Sequence, residues 1–374
     1  MARLDQADEQ AAIFSYLETE FGEASTFEVE SIDGGNANET YLIQWNSTRY
    51  VLRCPPASDT APQILHNIEK EITYLQAVEP TWVPAPRCLS VCREESVLGH
   101  PFYIMEYVDG LVFNNDLPET IDSPEHKIQI STEIIDTLAK IHCLDATKIS
   151  VESEADPIEY TATHLGEMYD QLQWAYDVTS AYRELDRLFS VGQWLQDNIP
   201  ETSEVSVVHG DFKPDNLLFD IETSPELVGV LDWEMAAIGN PLVDLGWLLS
   251  YWNEKRDPSP LTPAIQKRFE DHDYYPVLDV FVNDYSTFMT APAFLNRKEL
   301  ISRYERQTGF EYDLKADRFY RAFGVFKLAV LCEGFYRTYV EGSPDAKDSY
   351  PLMELAVPTL AQQAHMIIEG DIPL

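Results

Sequence analysis

The sequence predicts an α+β chain of two lobes, a small first lobe with an antiparallel sheet plus a helix and a larger, mostly helical second lobe. Three observations carry this reading. Between residues 27 and 53 the runs F-E-V-E-S-I, Y-L-I-Q-W and R-Y-V-L-R are separated by turn residues, the signature of short strands joined by hairpins. Beyond about residue 110, apolar residues recur at three- and four-residue intervals, the period of a helix with one buried face. Inside that helical half, the stretch 205–232 holds short apolar runs that each end in polar residues. The expected lobes are residues 1–107 and 108–374.

A chain of 374 residues can fill two lobes with core. At 45% hydrophobic residues the composition is that of an ordinary globular protein. No apolar run reaches the ~18 residues of a membrane span, and the start M-A-R-L-D-Q-A-D-E-Q lacks a signal-peptide core. A cytoplasmic protein with no membrane partner is expected. The five cysteines (Cys54, Cys88, Cys92, Cys143, Cys332) are scattered, and only Cys88 and Cys92 are close. Reduced thiols are expected rather than a zinc site.

Charge is the unusual feature. Lys+Arg total 26 against 64 Asp+Glu, a net −38. Nucleic acid requires a basic footprint and is excluded as a partner. An acidic surface suits a cationic substrate, a basic partner or a saline cell interior. The acids are spread along the chain, which favours the saline interior.

Taken in order, residues 1–20 read as an acidic amphipathic helix with Ala11, Ile13, Phe14 and Leu17 on one side, packed at the edge of the first lobe. The turn Asp33 to Asn38 between the first two strands is D-G-G-N-A-N, rich in residues that tolerate positive φ. A hairpin of such small residues lets backbone N–H groups of Gly34, Gly35, Asn36 and Asn38 approach a phosphate. Arg53 ends the third strand, before Pro55-Pro56. A helix is expected over Gln63 to Val78, with Ile64, Ile68, Ile72 and Leu75 as its apolar face. Glu71 sits beside that stripe, where a carboxylate is expensive unless paired. Arg53 is its natural partner, with Glu69 the fallback acid.

P-F-Y-I-M-E-Y-V-D-G, residues 101–110, reads as a strand running into a connector. On local grounds the backbone at Glu106, Tyr107 and Val108 suits an ordinary strand end and hydrogen bonds to an adenine edge equally well. Ser123-Pro124 is a helix start, followed by the stripe Ile128, Ile134, Ile135, Leu138 and Ile141 ending at His142, read as structural. Helices are expected over 160–200, from Asp244 to Trp252, to about 307 and over 315–341, with 253–262 a loop. Asp244, in a first helical turn, suits exposed N–H groups and also suits bracing the loop at Asp211.

The chemistry concentrates between Val207 and Asp244. V-V-H-G-D-F-K-P-D-N carries Asp211 and, five residues later, Asn216, and V-G-V-L-D-W-E then delivers Asp232. Two acids and an amide at the ends of short buried strands suit a metal–nucleotide site: hard oxygens hold Mg²⁺ while one carboxylate orients a hydroxyl. The spacing matches H-x-D-x-x-x-x-N followed by a metal-binding Asp.

Seven segments in order, G-G-N-A-N-E-T-Y-L-I, Y-V-L-R, K-E-I-T-Y-L, F-Y-I-M-E-Y-V-D-G, V-H-G-D-F-K-P-D-N, V-L-D-W-E and G-N-P-L-V-D-L, resemble the aminoglycoside phosphotransferase-like family, also called the phosphotransferase enzyme family. Y-V-L-R before prolines and the late F-K-L-A-V-L-C-E-G resemble more narrowly the kinase-like domain also found fused to acyl-CoA dehydrogenases. The resemblance implies a bilobal protein-kinase-like fold and an ATP- and Mg²⁺-dependent small-molecule kinase. It implies Asp211 as base, Asn216 and Asp232 as metal ligands, and Arg53 with Glu71 as phosphate binders under the hairpin. Lys213, two residues after Asp211, takes the place of a lysine that neutralises the transferring phosphoryl group. Arginine at position 53 departs from the family's usual lysine, and the hairpin lacks a full G-x-G-x-x-G. The implied acceptor is a small-molecule hydroxyl: an aminoglycoside-like compound, an amino-alcohol, or a hydroxy acid or its CoA ester. A non-catalytic nucleotide-binding protein is the alternative, but such proteins usually lose the base or a metal ligand, and all three residues are present here.

Overall fold

A computed structural model describes residues 4, 7–32, 38–55, 68–113, 116–149, 159–202, 204–278, 287–343 and 346–374. The first lobe is a five-stranded antiparallel sheet in the order β1-β2-β3-β5-β4. The strands are β1 Phe27–Ser31, β2 Glu39–Trp45, β3 Thr48–Cys54, β4 Cys88–Cys92 and β5 Phe102–Glu106. Period-two alternation sorts their side chains between the faces. Tyr41, Ile43, Leu52 and Ile104 meet helix α1 (Ala7–Phe21) through Ile13 and Leu17. Val51, Tyr103 and Met105 face the other way, onto Ile68, Ile72 and Leu75 of helix α2 (Ile68–Val78). Arg53, two residues after Val51, is thereby carried to the α2 side. The expected start of this helix at Gln63, and Ile64 with it, lies outside the described residues.

Past the one-turn helix α3 (Glu95–Leu98) and β5, the chain joins the second half through a pair of hydrogen bonds between Leu111 and Phe219, both 2.9 Å. Helix α4 (Pro124–His142) starts where the cap predicts, with Ser123 Oγ accepting the His126 N–H at 3.2 Å. Its buried stripe runs through Ile130, Ile134, Ile135, Leu138 and Ile141. Ile128 is not part of it: at the edge of that face in the second turn, it is 47% exposed.

Helices α5 (Tyr160–Thr179), α6 (Asp186–Asp197), α7 (Pro241–Tyr251), α8 (Pro263–Phe269), α9 (Arg297–Thr308) and α10 (Asp317–Val340) follow. Two short ladders are set among them, β6 (Ser206–Val208) with β9 (Ala237–Gly239) and β7 (Leu217–Asp220) with β8 (Glu226–Val230). Val205, which opens the apolar run at this point, is exposed and precedes the strand. Helix α10 is the axis of this lobe and packs on α5, α7 and a last helix, α11 (Met353–Glu369). Helix α11 is absent from the sequence reading. Pro358 inside it removes one hydrogen bond of the ladder and breaks the local signal, while burial of Leu355, Leu360, Ala364 and Ile367 sustains the helix. No helix among the described residues is long and apolar enough to cross a membrane.

Candidate active site

Strand β6 ends at Val208, and the next three residues form a loop held by its backbone. Asp244, in the first turn of α7, accepts the His209 N–H at 2.5 Å and the Gly210 N–H at 2.9 Å. The helix's own cap is Asn240, which accepts the Leu242 N–H at 3.0 Å. Asp244 therefore serves the loop, not its helix. Burial works against its charge, but the hydrogen bond and electrostatic attraction of His142, with the attraction and N–H of His209, outweigh this and hold the carboxyl below its ordinary range.

His209 links two loops. Its Nδ1 accepts the Asp211 N–H at 3.2 Å, so Nε2 carries the proton and donates to the Leu231 carbonyl at 2.9 Å. Burial lowers the pKa of this ring and keeps it neutral. Asn216, at the end of the 3₁₀ turn Pro214–Asn216, donates from Nδ2 to the Asp211 carbonyl and to Asp211 Oδ2, both at 2.9 Å. Lys213 Nζ is 3.2 Å from the same oxygen. The Leu231 N–H donates to the Asn216 carbonyl at 2.8 Å, which puts Asp232 beside Asn216. Asp232 takes φ 62° and ψ 61°, a left-handed backbone uncommon outside glycine and typical of functional loops.

Across the cleft, Arg53 is 4% exposed and faces three acids. Its Nη1 lies 2.6 Å from Glu71 Oε1 and also contacts Asp232, and Nη2 lies 3.6 Å from Glu234 Oε2. Glu69, the fallback partner, points outward and pairs with Arg93 at 2.7 Å. One guanidinium cannot neutralise three carboxylates. Burial raises Glu71 to about 7 despite Arg53 and raises Glu234 well above its ordinary range. For Asp232 burial acts the same way, but the charge and hydrogen bond of Arg53 prevail and lower it. Glu234 is thus the acid that holds a proton, and Asp232 the one that stays ionised.

Arg53, Glu71, Asp211, Lys213, Asn216 and Asp232 all line one cavity of about 810 Å³. Asn38 reaches it indirectly: its Nδ2 donates to Glu234 Oε2 at 2.8 Å, joining the end of the hairpin to the loop after β8. Gly34, Gly35 and Asn36 lie outside the described residues. Glu106, Tyr107 and Val108 are not among the cavity-lining residues, although Met105 is. The Glu106 N–H is committed to the Arg87 carbonyl at 3.0 Å, and Arg49 lies over the Tyr107 ring at 4.0 Å. Glu234 and His209 are functional residues that the sequence analysis does not single out. Their signals were an acid two residues after Asp232 in V-L-D-W-E and a histidine two before Asp211.

From this site the cavity continues between the helices of the second lobe, along Leu328, Leu331, Phe335, Met353 and Leu360. The charged residues there are paired. Arg297 grips Asp257 with two hydrogen bonds of 2.8 and 2.6 Å, and Arg321 holds Asp317 at 2.6 Å.

A sheet-bearing lobe over a helical lobe, with two acids and an amide at the cleft between them, is the architecture of a phosphotransferase acting on hydroxyl groups. The chain belongs to the phosphotransferase enzyme family, whose sequence profile matches residues 28–280. It is 29% identical over 317 residues to acyl-CoA dehydrogenase family member 11 of Mus musculus, an alignment covering 84% of this chain and 37% of that protein. The chain therefore spans little more than a third of that relative. Among solved structures it is similar to a Ralstonia eutropha protein provisionally described as an aminoglycoside phosphotransferase, with TM-score 0.70 and 25% identity over 96% of this chain and 98% of the other. It also shares the fold of aminoglycoside 2'-phosphotransferase-IIIa in its GDP complex, with TM-score 0.58 and 16% identity over 95% and 99% of the two chains.

Proposed function

We propose that this protein transfers the γ-phosphate of ATP to a hydroxyl on an apolar acyl chain, a hydroxy acid or its CoA ester. In this reading Asp211 is the base, Asn216 and Asp232 hold Mg²⁺, Arg53 and Lys213 contact phosphate, and Glu71 positions Arg53. Residues 1–107 bind the nucleotide, with the hairpin ending at Asn38 over the phosphates and the Glu106–Val108 backbone at the adenine through groups other than the Glu106 N–H, which the Arg87 carbonyl holds. Residues 108–374 bind the acceptor.

The donor set suits Mg²⁺. Asn216 Nδ2 is committed to Asp211, so the atom it offers a metal is Oδ1, and Asp232 offers a carboxylate held ionised. Both are hard oxygen donors, and Mg²⁺ takes few protein ligands, completing its shell with water and phosphate. The described residues hold no cluster of three or more His, Cys, Asp or Glu side chains that would form a denser metal cage. When bound, the ion neutralises phosphate charge.

Asp211 has its backbone fixed by Asp244 and His209, and its carboxylate is set by Asn216 and Lys213. It is therefore oriented before an acceptor arrives, the positional requirement of this chemistry. Lys213, 3.2 Å from that carboxylate, supports this reading as a cation beside the proposed base that would offset charge on the transferring group. Arg53 supplies a planar fork of donors suited to phosphate.

The observation that carries the acceptor class is the far wall of the cavity. It is lined by Leu328, Leu331, Phe335 and Leu360, and its acids Glu254 and Asp257 both pair with Arg297. A polycationic aminoglycoside needs unpaired carboxylates, whereas an acyl chain needs this apolar wall. The relative's name, which refers to acyl-CoA, agrees with that. The test is a γ-phosphate transfer screen across hydroxy acids, their CoA esters, amino-alcohols and aminoglycosides, at low and high salt. Transfer to the hydroxyacyl compounds is expected, and transfer confined to aminoglycosides overturns the acceptor class. Absence of any thermal shift with Mg²⁺-ATP overturns the kinase reading itself. A net charge of −38 spread over the chain further predicts that high salt raises activity.

A further inference from the structure

The loop carrying Asp211 is gripped at Gly210 from two sides. The Gly210 N–H goes to Asp244 Oδ1 at 2.9 Å. Its carbonyl accepts a hydrogen bond from the ammonium of Lys327, a residue of α10 that is 3% exposed. Gly210 has φ +80°, and a Cβ there would sit 2.3 Å from the Met235 carbonyl oxygen. Only glycine fits, and both polar groups of its backbone have a protein partner.

Lys327 reaches the loop because α7 and α10 cross at two glycines. A Cβ on Gly246 would lie 2.5 Å from Tyr320 Cβ, and one on Gly324 would lie 2.9 Å from Ser250 Oγ. At that separation Lys327 Nζ rests 4.6 Å from the centre of the Trp247 ring, a cation–π contact. The surrounding turns of α10, with Phe323, Phe326, Val330 and Leu331, are apolar and buried. An ammonium in such a place is costly unless paired. Burial lowers its pKa to about 8, against the attraction of Asp211 and Asp244. A leucine or methionine would pack there at less cost, so packing does not account for a lysine. The hydrogen bond to Gly210 does.

We propose that Lys327 is a positioning residue for phosphoryl transfer: by holding the Gly210 carbonyl while Asp244 holds the N–H, it fixes the peptide that leads into Asp211. This rests on Asp211 being the base. Lys327 touches no reacting group in this arrangement and acts through the backbone.

The experiment compares Lys327→Met, Lys327→Arg and Asp211→Asn in the full chain, with Mg²⁺-ATP as the probe. It reads steady-state ADP formation and amide hydrogen exchange of the 209–212 segment. In Lys327→Met, kcat is expected to fall about tenfold or more with KM for ATP within about twofold. Exchange at 209–212 should quicken about tenfold while the rest of the helical lobe stays protected. Lys327→Arg, which keeps a cationic donor, is expected to recover most of kcat. Unchanged exchange together with kcat within about twofold of wild type overturns the proposal. If the methionine variant is destabilised throughout, the arginine variant decides. A kcat near wild type then supports the clamp, and a low kcat over a protected loop overturns it. If Asp211→Asn leaves turnover intact while Lys327→Met loosens the loop, the base assignment fails and the clamp stands.

Discussion

Replacing Asp244 by alanine removes the acceptor that holds two successive N–H groups of the loop bearing Asp211. The carboxylate is 1% exposed and receives those groups at 2.5 and 2.9 Å, with His142 Nε2 at 3.4 Å. In the alanine variant both donors stay buried between Val208 and the chain after β8. A buried donor left without a partner costs about 1–3 kcal/mol, more when the lost partner is charged. Two of them, with the small void left behind, give a loss on the order of 3–5 kcal/mol. Asparagine keeps one acceptor oxygen in the same shape but turns an amide group toward the second N–H, so about half that loss is expected. Turnover should fall in the same order, because the loop that loosens carries Asp211, the proposed base. The assay is urea unfolding with the slope m checked for constancy, followed by ADP formation at saturating Mg²⁺-ATP. The folded Asp244 pKa lies below the ordinary 3.8. Its stabilisation is thus present above that value and is lost as pH falls through the folded pKa, so the gap between wild type and alanine should narrow in acid. An alanine variant within about 1 kcal/mol of wild type at pH 7, with unchanged turnover, refutes the bracing role.

Three further outcomes are expected. Gly210→Ala, which forces a Cβ at φ +80° to within 2.3 Å of the Met235 carbonyl oxygen, should lose on the order of 2–4 kcal/mol by thermal or urea unfolding; near-wild-type stability would mean the loop relaxes freely. In the unliganded protein, Glu71 raised from 4.5 to about 7 contributes stability that is fully present below pH 4.5 and lost as pH rises through 7. This is worth on the order of 3 kcal/mol at most. Unfolding curves of Glu71→Gln across pH 4–8 should accordingly be flatter, and parallel curves would contradict the assignment. Arg53→Met leaves Glu71, Asp232 and Glu234 without their shared cation. Calorimetry should find nucleotide affinity reduced about tenfold or more, with the stability loss larger at pH 8 than at pH 5 because the stranded acids ionise.

How much of this was legible in the chain follows the range of the interactions. The first-lobe strands show in their period-two runs, and Ser123-Pro124 marks the start of α4 through a local cap. Arg53 and Glu71, only 18 positions apart, are legible as a pair because an acid beside an apolar stripe needs a cation to neutralise it. Asp211 and Asn216, five apart, sit on one turn. Glu234 meets Asn38 across 196 positions and Lys327 meets Gly210 across 117. No local pattern encodes those distances, and only the packing of one lobe on the other and of α10 on α7 creates the contacts. The error at Ile128 is of a different kind. It has the right period, but it lies at the edge of the face, where the neighbouring elements do not cover it. Pro358 misleads in the opposite direction, since tertiary burial keeps a helix through a residue that locally argues against one.

The central claim is that Asp211 acts on the acceptor and Asp232 on the metal. The direct measurement is a paired one: Mg²⁺-ATP affinity by calorimetry and γ-phosphate transfer for Asp211→Asn and Asp232→Asn. Asp211→Asn is expected to bind Mg²⁺-ATP nearly as wild type while transfer falls about 100- to 10,000-fold, and Asp232→Asn to lose Mg²⁺-dependent binding and transfer together. Equal loss of nucleotide binding in both variants, or transfer that survives Asp211→Asn, contradicts that claim.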